Sequence, residues 1–249
     1  TAERLHGDVS GRRFWRVHTG SDTLILMDSG KIPIWPWIDI HELLSGKGFR
    51  VPEIVETNTR KGWVLQEDLG TRRLLDVDED QYESYLDEAL DIIISMQRRL
   101  DPSACSGSLA GRRSFTSAFY MAELENTLET VFFRLLEVPM DELLDLQKEL
   151  RKLCGMIDGP EVFVHRDYHS ANLMVHEGDL ALLDWQDARF GPPAYDAVSL
   201  LRDSYRDLSR GWEARAKKFT MAHGSMNMFQ MVRTACQRNL KAIGTFGFQ

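Results

Sequence analysis

Residues 163–187 have the sequence FVHRDYHSANLMVHEGDLALLDWQD. A short apolar run leads into Asp167, and Asn172 follows five residues later. The chain then turns at Gly178 and enters a second apolar run that ends at Asp184. This pattern predicts a short strand before the loop that carries Asp167. It also predicts a β-hairpin around Gly178 that brings Asp184 back beside Asn172.

The spacing of these three polar residues fits the chemistry of phosphoryl transfer. Transfer from ATP to a hydroxyl group needs a carboxylate that orients the hydroxyl and accepts its proton. It also needs hard oxygen ligands that hold Mg²⁺ across the phosphates. We therefore predict Asp167 as the catalytic carboxylate and Asn172 and Asp184 as the Mg²⁺ ligands. Arg166 or Asp187 is expected to organise the loop.

The same segment resembles two known groups of kinases. The pattern HRDxxxxN at residues 165–172 resembles the catalytic loop of protein kinases. Residues 167–172, 183–187 and 191–196 together resemble the aminoglycoside phosphotransferase and choline kinase-like family of small-molecule kinases. The resemblance implies an α+β, bilobal, protein-kinase-like fold. We expect a small strand-rich N-terminal lobe over residues 1–70 that binds nucleotide, and a mainly helical C-terminal lobe over residues 71–249.

The segment also allows a different interpretation. His165, Asp167 and His169 could form a zinc or iron cluster of a hydrolase, because imidazole and carboxylate suit those metals. A metal-dependent hydrolase of this kind would leave Asn172 and Asp184 without functional roles. His165 is more often a residue that hydrogen-bonds loop backbone. Asp196 precedes an apolar run and is predicted as a helix start whose carboxylate satisfies free N–H groups, outside the catalytic set.

Composition limits the possible classes of protein. The chain has 249 residues, 43% hydrophobic and 27% charged, which is ordinary for a globular protein. A net charge of −8 argues against a nucleic-acid partner, since phosphate contacts need clustered Lys and Arg. No run of 18 apolar residues predicts a membrane span. Three widely spaced cysteines indicate reduced thiols, and we predict a cytoplasmic protein.

The N-terminal lobe begins with two β-type runs at residues 13–18 and 23–27, joined by a predicted hairpin turn. The preceding residues 9–13 stand where kinases place a loop over the ATP phosphates. The predicted cofactor-binding residues there are Gly11, Arg12 and Arg13. Residues 66–70 resemble the hinge of the family, where backbone groups meet the adenine ring, and Gln66 and Asp68 are added to the nucleotide site on that resemblance.

The lobe departs from the usual kinase pattern at one strand. Kinases normally carry a lysine there that pairs with the phosphates, yet this chain has Met27. Either a nearby cation replaces the lysine, or Mg²⁺ and backbone groups hold the nucleotide. A nucleotide-binding pseudokinase is the alternative. The candidate cations are Lys31, Arg12, Arg13 and Arg16.

The remaining chain shows helical periodicity. Apolar residues recur at three-or-four spacing over residues 80–100, which predicts a helix with one buried face. A helix ending at glycine is expected around residues 38–44, followed by two strands at residues 51–55 and 62–70. Further helical segments are predicted at residues 114–136, 141–153, 194–205 and 226–243.

The wider pattern resembles one branch of the family, the kinases that phosphorylate the anomeric hydroxyl of N-acetylmuramate and N-acetylglucosamine in cell-wall recycling. The likeness is carried by residues 11–16, 26–28, 66–70, 164–172, 184–188 and 237–244. That branch also lacks the strand lysine. The resemblance implies a small-molecule hydroxyl substrate, an amino sugar. Aminoglycosides, choline and other amino alcohols remain alternative acceptors.

Overall fold

The structure of the protein, a computed structural model, describes residues 1–5, 11–20, 22–157, 161–206, 211–224 and 226–247, with side chains up to residue 245. The chain forms two compact units. The first unit comprises residues 1–86 and 171–187, and the second comprises residues 87–170 and 188–249. The lobe boundary after residue 70 stays a prediction.

The first unit is built on a five-stranded antiparallel sheet in the order β1-β2-β3-β5-β4. β2 and β3 pair in register from Arg13↔Asp28 to Thr19↔Asp22, which confirms the predicted hairpin. Gly20 has a φ of +72° in its turn, a conformation that glycine adopts without strain. The strands are Ala2–Leu5 (β1), Arg13–Thr19 (β2), Asp22–Asp28 (β3), Ile54–Asn58 (β4) and Trp63–Glu67 (β5).

Three details of this sheet differ from the prediction. β5 spans Trp63–Glu67 and is shorter than the predicted strand at residues 62–70. β1 was not predicted, because a strand of four residues has no clear alternation. β4 begins at Ile54, three residues after the predicted start, since Pro52 has no N–H to donate to a neighbouring strand.

A single helix, α1 (Trp35–Gly46), follows β3. It buries Trp37, Ile40 and Leu44 on one face. Gly48 lies two residues beyond its end with a φ of +71°, in agreement with the predicted stop at glycine.

The predicted hairpin around Gly178 is present in the first unit. Its strands, β7 (Leu173–His176) and β8 (Asp179–Leu182), pair from Leu173↔Leu182 to His176↔Asp179. Two backbone bonds attach it to the rest of the unit, from Val175 N to Arg72 O (2.8 Å) and from Leu182 N to Arg50 O (2.9 Å).

The second unit is mainly helical, as predicted. α2 begins in the first unit, continues into the second, and has acidic residues in its first turn and arginines in its last, which complements the helix dipole. Its predicted apolar face is buried from Tyr82 to Met96. The helices are Glu79–Arg99 (α2), Ser117–Thr127 (α3), Met140–Gly155 (α4), Tyr195–Leu201 (α5), Trp212–His223 (α6) and Met228–Gly247 (α7).

Residues 114–136 do not form one regular helix. α3 ends at Thr127, and the segment Leu128–Leu135 continues as a π-helix. Two short strands, β6 (Val162–Val164) and β9 (Arg189–Gly191), pair in an antiparallel manner. β6 was predicted, whereas β9 and α6 were not. In the residues with described positions, no helix has the length and apolar content needed to cross a membrane.

Candidate active site

The base of the β7–β8 hairpin brings together the two predicted metal ligands. Leu183 N donates a hydrogen bond to Asn172 O at 2.9 Å, so Asp184 follows directly after the residue that pairs with Asn172. This confirms the predicted geometry of the hairpin. Asp184 has a φ of +60°, which is unusual for a residue with a side chain. Its carboxylate also accepts a hydrogen bond from Gln186 Nε2 at 2.9 Å.

The carboxylate of Asp184 has a cationic neighbour in the same unit. Arg12 Nη1 lies 3.6 Å from Asp184 Oδ1, and the Arg12 side chain is only 8% exposed. Among the described residues, no group accepts a hydrogen bond from Arg12 Nε. An orphaned N–H on a buried guanidinium is uncommon, because leaving a buried donor unpaired costs about 1–3 kcal/mol. Within the described part of the chain, this N–H is thus available to an anionic ligand.

The other candidate cations are engaged elsewhere or exposed. Arg13 Nη2 binds Asp28 Oδ2 at 2.6 Å with the Arg13 side chain 53% exposed. Arg16 binds Asp68, and Lys31 is exposed. Of the four candidate cations, Arg12 pairs with the predicted metal ligand Asp184.

The start of the predicted phosphate loop is only partly described. Val9 and Ser10 lie outside the described residues. Gly11 is exposed and has a φ of +74°. At the usual lysine position, Met27 is buried in β3.

The predicted hinge is held by the side chain of Asp68. Its carboxylate accepts hydrogen bonds from Arg16 Nε (2.5 Å) and Nη2 (3.0 Å) and from the backbone N–H of Gly70 (2.9 Å). Burial works to raise the pKa of Asp68, but the bond from Arg16 and the bond from Gly70 hold that pKa below its usual value. Asp68 therefore shapes the hinge backbone. Gln66 is buried in β5.

Asp167 lies in the second unit, on the loop after β6. The loop is fixed through its backbone: Asp196 Oδ2 accepts a hydrogen bond from His165 N (2.7 Å), and Oδ1 accepts one from Arg166 N (3.0 Å). Further along, Tyr168 Oη donates to Ala89 O at 2.8 Å. These contacts leave little freedom for the loop at Asp167.

The role of Asp196 differs from the sequence prediction. Asp196 lies in the first turn of α5, but its carboxylate binds N–H groups of the loop rather than those of its own helix. The carboxyl is fully buried, and burial raises its pKa to about 7 despite the two backbone hydrogen bonds. Asp196 is therefore a positioning residue for the loop that carries Asp167.

Asp167 is surrounded by positive charge. Burial works to raise the pKa of its carboxyl, but the neighbouring positive charges outweigh burial and hold that pKa below the usual value. Asp167 is consequently ionised at neutral pH and can accept a proton or a hydrogen bond. The charges come from Lys241, Arg166, His165 and Arg238.

Glu123 and Lys241, which the sequence analysis did not single out as site residues, lie in the same unit as Asp167. Glu123 of α3 binds the guanidinium of Arg166 at 3.3 Å and the ammonium of Lys241 at 3.2 Å. The only sequence signal was the resemblance of residues 237–244 to one branch of the family. The geometry agrees with the expectation that Arg166 organises the loop.

The hydrolase interpretation requires a cluster of metal ligands. In the described parts of the chain, no three His, Cys, Asp or Glu residues lie close enough to hold a metal ion together. His165, Asp167 and His169 are all described, and they do not form such a group.

The fold resembles that of solved kinases. The structure of the choline kinase LicA from Streptococcus pneumoniae matches with a TM-score of 0.71 at 15% identity, covering 100% of this chain and 84% of that one. The match confirms the predicted bilobal, protein-kinase-like fold.

Relatives with curated names are closer in sequence. A protein of Pseudomonas aeruginosa named N-acetylmuramate/N-acetylglucosamine kinase is 31% identical, covering 96% of this chain and 74% of the relative. A protein of Neisseria meningitidis with the same name is 28% identical, covering 96% of this chain and 75% of the relative. The family model described as "Phosphotransferase enzyme family" (APH) matches residues 1–221. The chain therefore belongs to the APH phosphotransferase enzyme family and is a phosphotransferase with an alcohol group of a small molecule as acceptor.

Proposed function

We propose that this phosphotransferase moves the γ-phosphoryl group of ATP to the anomeric hydroxyl of N-acetylmuramate or N-acetylglucosamine, with Mg²⁺ as the metal ion. The observation that carries the proposal is the name shared by the curated relatives, which match nearly the whole chain. A cytoplasmic location goes with it, because the phosphoryl donor is ATP.

The residues at the hairpin base suit Mg²⁺. This ion prefers oxygen ligands and is usually held by one or two carboxylates together with substrate phosphates. Asn172 and Asp184 supply one amide oxygen and one carboxylate, and the backbone bond between Leu183 and Asn172 keeps them adjacent. When bound, the metal would neutralise charge on the phosphates.

Arg12 supports nucleotide binding in place of the strand lysine. Its buried guanidinium lies beside Asp184, and its Nε–H has no partner among the described residues. A guanidinium offers several N–H donors that match phosphate oxygens. We assign Arg12 the electrostatic role that lysine has in most kinases, with Gly11 giving the adjacent backbone its left-handed turn. Arg13 and the hinge residues Gln66 and Asp68 complete the proposed nucleotide site.

Asp167 serves the acceptor. Its carboxylate is ionised because of the surrounding cations, so it can accept a hydrogen bond from the sugar hydroxyl, orient it and take its proton. The transition state of phosphoryl transfer is loose in most analyses, and positioning therefore contributes more than strong base catalysis. The rigid loop around Asp167 suits this requirement.

The test is Mg²⁺-dependent ATP consumption with N-acetylmuramate, N-acetylglucosamine, kanamycin and choline as separate acceptors. We expect turnover with the amino sugars and a sugar 1-phosphate product in the ³¹P NMR spectrum. Turnover with kanamycin or choline alone would support the phosphotransferase reaction but contradict the proposed amino-sugar acceptor. An absence of turnover with all four acceptors would overturn the proposal.

A further inference from the structure

Helix α7 contributes a buried cation to the second unit. Lys241 Nζ lies 3.2 Å from Glu123 Oε1 and 3.5 Å from the hydroxyl of Tyr195, and the Lys241 side chain is 16% exposed. The family model matches residues 1–221, and α7 (Met228–Gly247) follows the matched segment. Burial lowers the pKa of the Lys241 ammonium, and the charge of Glu123 opposes that effect.

The partner of Lys241 is a carboxylate with several donors. Glu123 is 8% exposed, and a carboxylate this buried is strongly destabilising unless it is paired and hydrogen-bonded. Its Oε1 meets Lys241 and also Arg166 Nη2 at 3.3 Å, while its Oε2 accepts a bond from Gln237 Nε2 at 3.1 Å. Glu123 thus joins α7 to the loop that carries Asp167.

Arg166 is the point where this network reaches the loop. Its φ of +81° is in the left-handed region, which costs a residue with a side chain roughly 1–2 kcal/mol. Such a conformation persists only where the surroundings enforce it. Asp196 holds the Arg166 backbone N–H, and Glu123 holds the guanidinium. Asp167 is the next residue, so its direction depends on this conformation.

The position of α7 is fixed by its contact with α3. Asn126 Nδ2 donates to Gly244 O at 3.0 Å, and Thr127 Oγ1 donates to Leu240 O at 2.8 Å. A Cβ atom at Gly244 would overlap Thr127 Oγ1 and lie 2.9 Å from the Cα of Thr127, so the side chain of Thr127 packs directly against the backbone of α7. Lys241 is therefore held at one place beside Glu123.

We propose that Glu123 and Lys241 form a positioning pair through which α7 sets the conformation of the catalytic loop. Lys241 fixes Glu123, Glu123 fixes the guanidinium of Arg166, and Arg166 sets the backbone that presents Asp167. This inference rests on the proposed function, in which Asp167 serves the acceptor hydroxyl.

A purely stabilising ion pair would behave differently. Replacing a buried ion pair by uncharged residues of similar size is often neutral for stability. A positioning pair, when replaced in that way, lowers turnover in a protein that remains folded. The double variant Glu123→Gln/Lys241→Met removes both charges of the pair together, and the amide oxygen of the glutamine can still accept a hydrogen bond from Arg166.

The kinetic experiment uses the full chain with ATP, Mg²⁺ and N-acetylmuramate, with kcat normalised to the folded fraction from thermal unfolding. For Lys241→Met, Glu123→Gln and the double variant, we expect kcat to fall about ten- to a hundredfold while KM changes less than about threefold, because small misplacements of reacting groups have effects of this size. Lys241→Arg should recover most of the turnover. The matched controls are Lys217→Met on α6 and Glu125→Gln on α3, both at exposed positions.

Either of two kinetic outcomes would contradict the positioning role of Glu123 and Lys241. One is an unchanged kcat in Lys241→Met, and the other is an equal fall in kcat in Lys241→Met and Lys241→Arg. A second measurement needs no turnover. Amide hydrogen exchange at His165 and Arg166 should be about tenfold faster in Lys241→Met and Glu123→Gln than in the wild type or the controls, because the loop opens more often. Unchanged exchange there would overturn the pair as well. If the wild type phosphorylates no acceptor, the proposed function is wrong. Hydrogen exchange still tests whether Glu123 and Lys241 hold the loop in place.

Discussion

The guanidinium of Arg12 lies 3.6 Å from the carboxylate of Asp184, and the Arg12 side chain is only 8% exposed. The pairing links the start of the N-terminal sheet to the proposed metal site in the same unit. On the proposed function, it also gives a physical reason why the chain tolerates Met27: the positive charge comes from the residue that precedes β2.

Replacing Arg12 with methionine should weaken nucleotide binding. A hydrogen bond to a charged group contributes about 1.5–3 kcal/mol, so the Kd for Mg²⁺-ATP should rise about ten- to a hundredfold. Isothermal titration calorimetry measures this without turnover. Arg60→Met, at an exposed turn of the same unit, is the control. An unchanged Kd in Arg12→Met would contradict the proposal that Arg12 takes the electrostatic role of the strand lysine.

Replacing Asp167 with asparagine should separate catalysis from nucleotide binding. We expect kcat to fall about 10²- to 10⁴-fold, the range for general base catalysis. The Kd for nucleotide should stay within about threefold. Asp179→Asn, an exposed carboxylate at the hairpin turn, provides the comparison. Full turnover in Asp167→Asn would contradict the assignment of Asp167 as the catalytic carboxylate.

Asp196 should make the stability of the protein depend on pH. Its folded-state pKa of about 7 exceeds the ordinary value of 3.8, so the folded protein holds a proton that the unfolded chain has lost. The resulting stabilisation, on the order of 4 kcal/mol, is complete below about pH 4 and is lost as the pH rises through about 7.

Thermal unfolding of the wild type and Asp196→Asn between pH 4 and pH 8 tests this. The wild type should lose stability relative to the variant as the pH rises, because asparagine does not titrate. Parallel curves of Tm against pH would contradict the prediction. Asp179→Asn again serves as the control.

Loss of the Lys241 charge should shift the pH dependence of turnover. The positive charge helps to hold the pKa of Asp167 low, so Lys241→Met should raise that pKa. The acid limb of the profile of kcat/KM against pH should then move to higher pH, because Asp167 must be ionised to accept a proton. Lys241→Arg should leave the limb in place. A limb that moves equally in both variants would show that charge is not the cause.

The close contact between α3 and α7 should not tolerate a methyl group. Gly244→Ala would place its Cβ 2.9 Å from the Cα of Thr127, and overpacking of this kind destabilises by about 1–3 kcal/mol. The midpoint of urea unfolding should fall accordingly. Gly155→Ala at the end of α4 adds a methyl group with no atom within 4 Å and should cause no such loss. Equal stability of the two variants would refute the packing argument.

Local spacing was sufficient to predict the hairpin and the loop. The alternation around Gly178 predicted a pairing that returns Asp184 to Asn172, and the bond from Leu183 N to Asn172 O confirms it. The periodic apolar residues of α2 likewise predicted a buried face. Such features depend on residues that are near each other in sequence, where the periods of strand and helix act directly.

Long-range partners could not be predicted in the same way. The apolar run after Asp196 is a local signal, and it predicted a helix start there. The hydrogen bonds that Asp196 accepts from His165 N and Arg166 N join residues far apart in sequence and depend on the fold. Glu123 lies on α3 and Lys241 on α7, and no local spacing separates them from the other charged residues of those helices. Only the packing of α3 against α7 distinguishes them from solvated charges.

Two of the four described non-glycine residues with a positive φ are Arg166 and Asp184. Glycine at either position would relax the backbone, because it adopts these angles without a steric penalty. The same substitution would remove the guanidinium that binds Glu123 or the carboxylate beside Arg12, and it would leave a buried charge without one of its partners. The chain therefore keeps a charged side chain at each of two strained backbone positions, and a selection for heat resistance gains little by relaxing them.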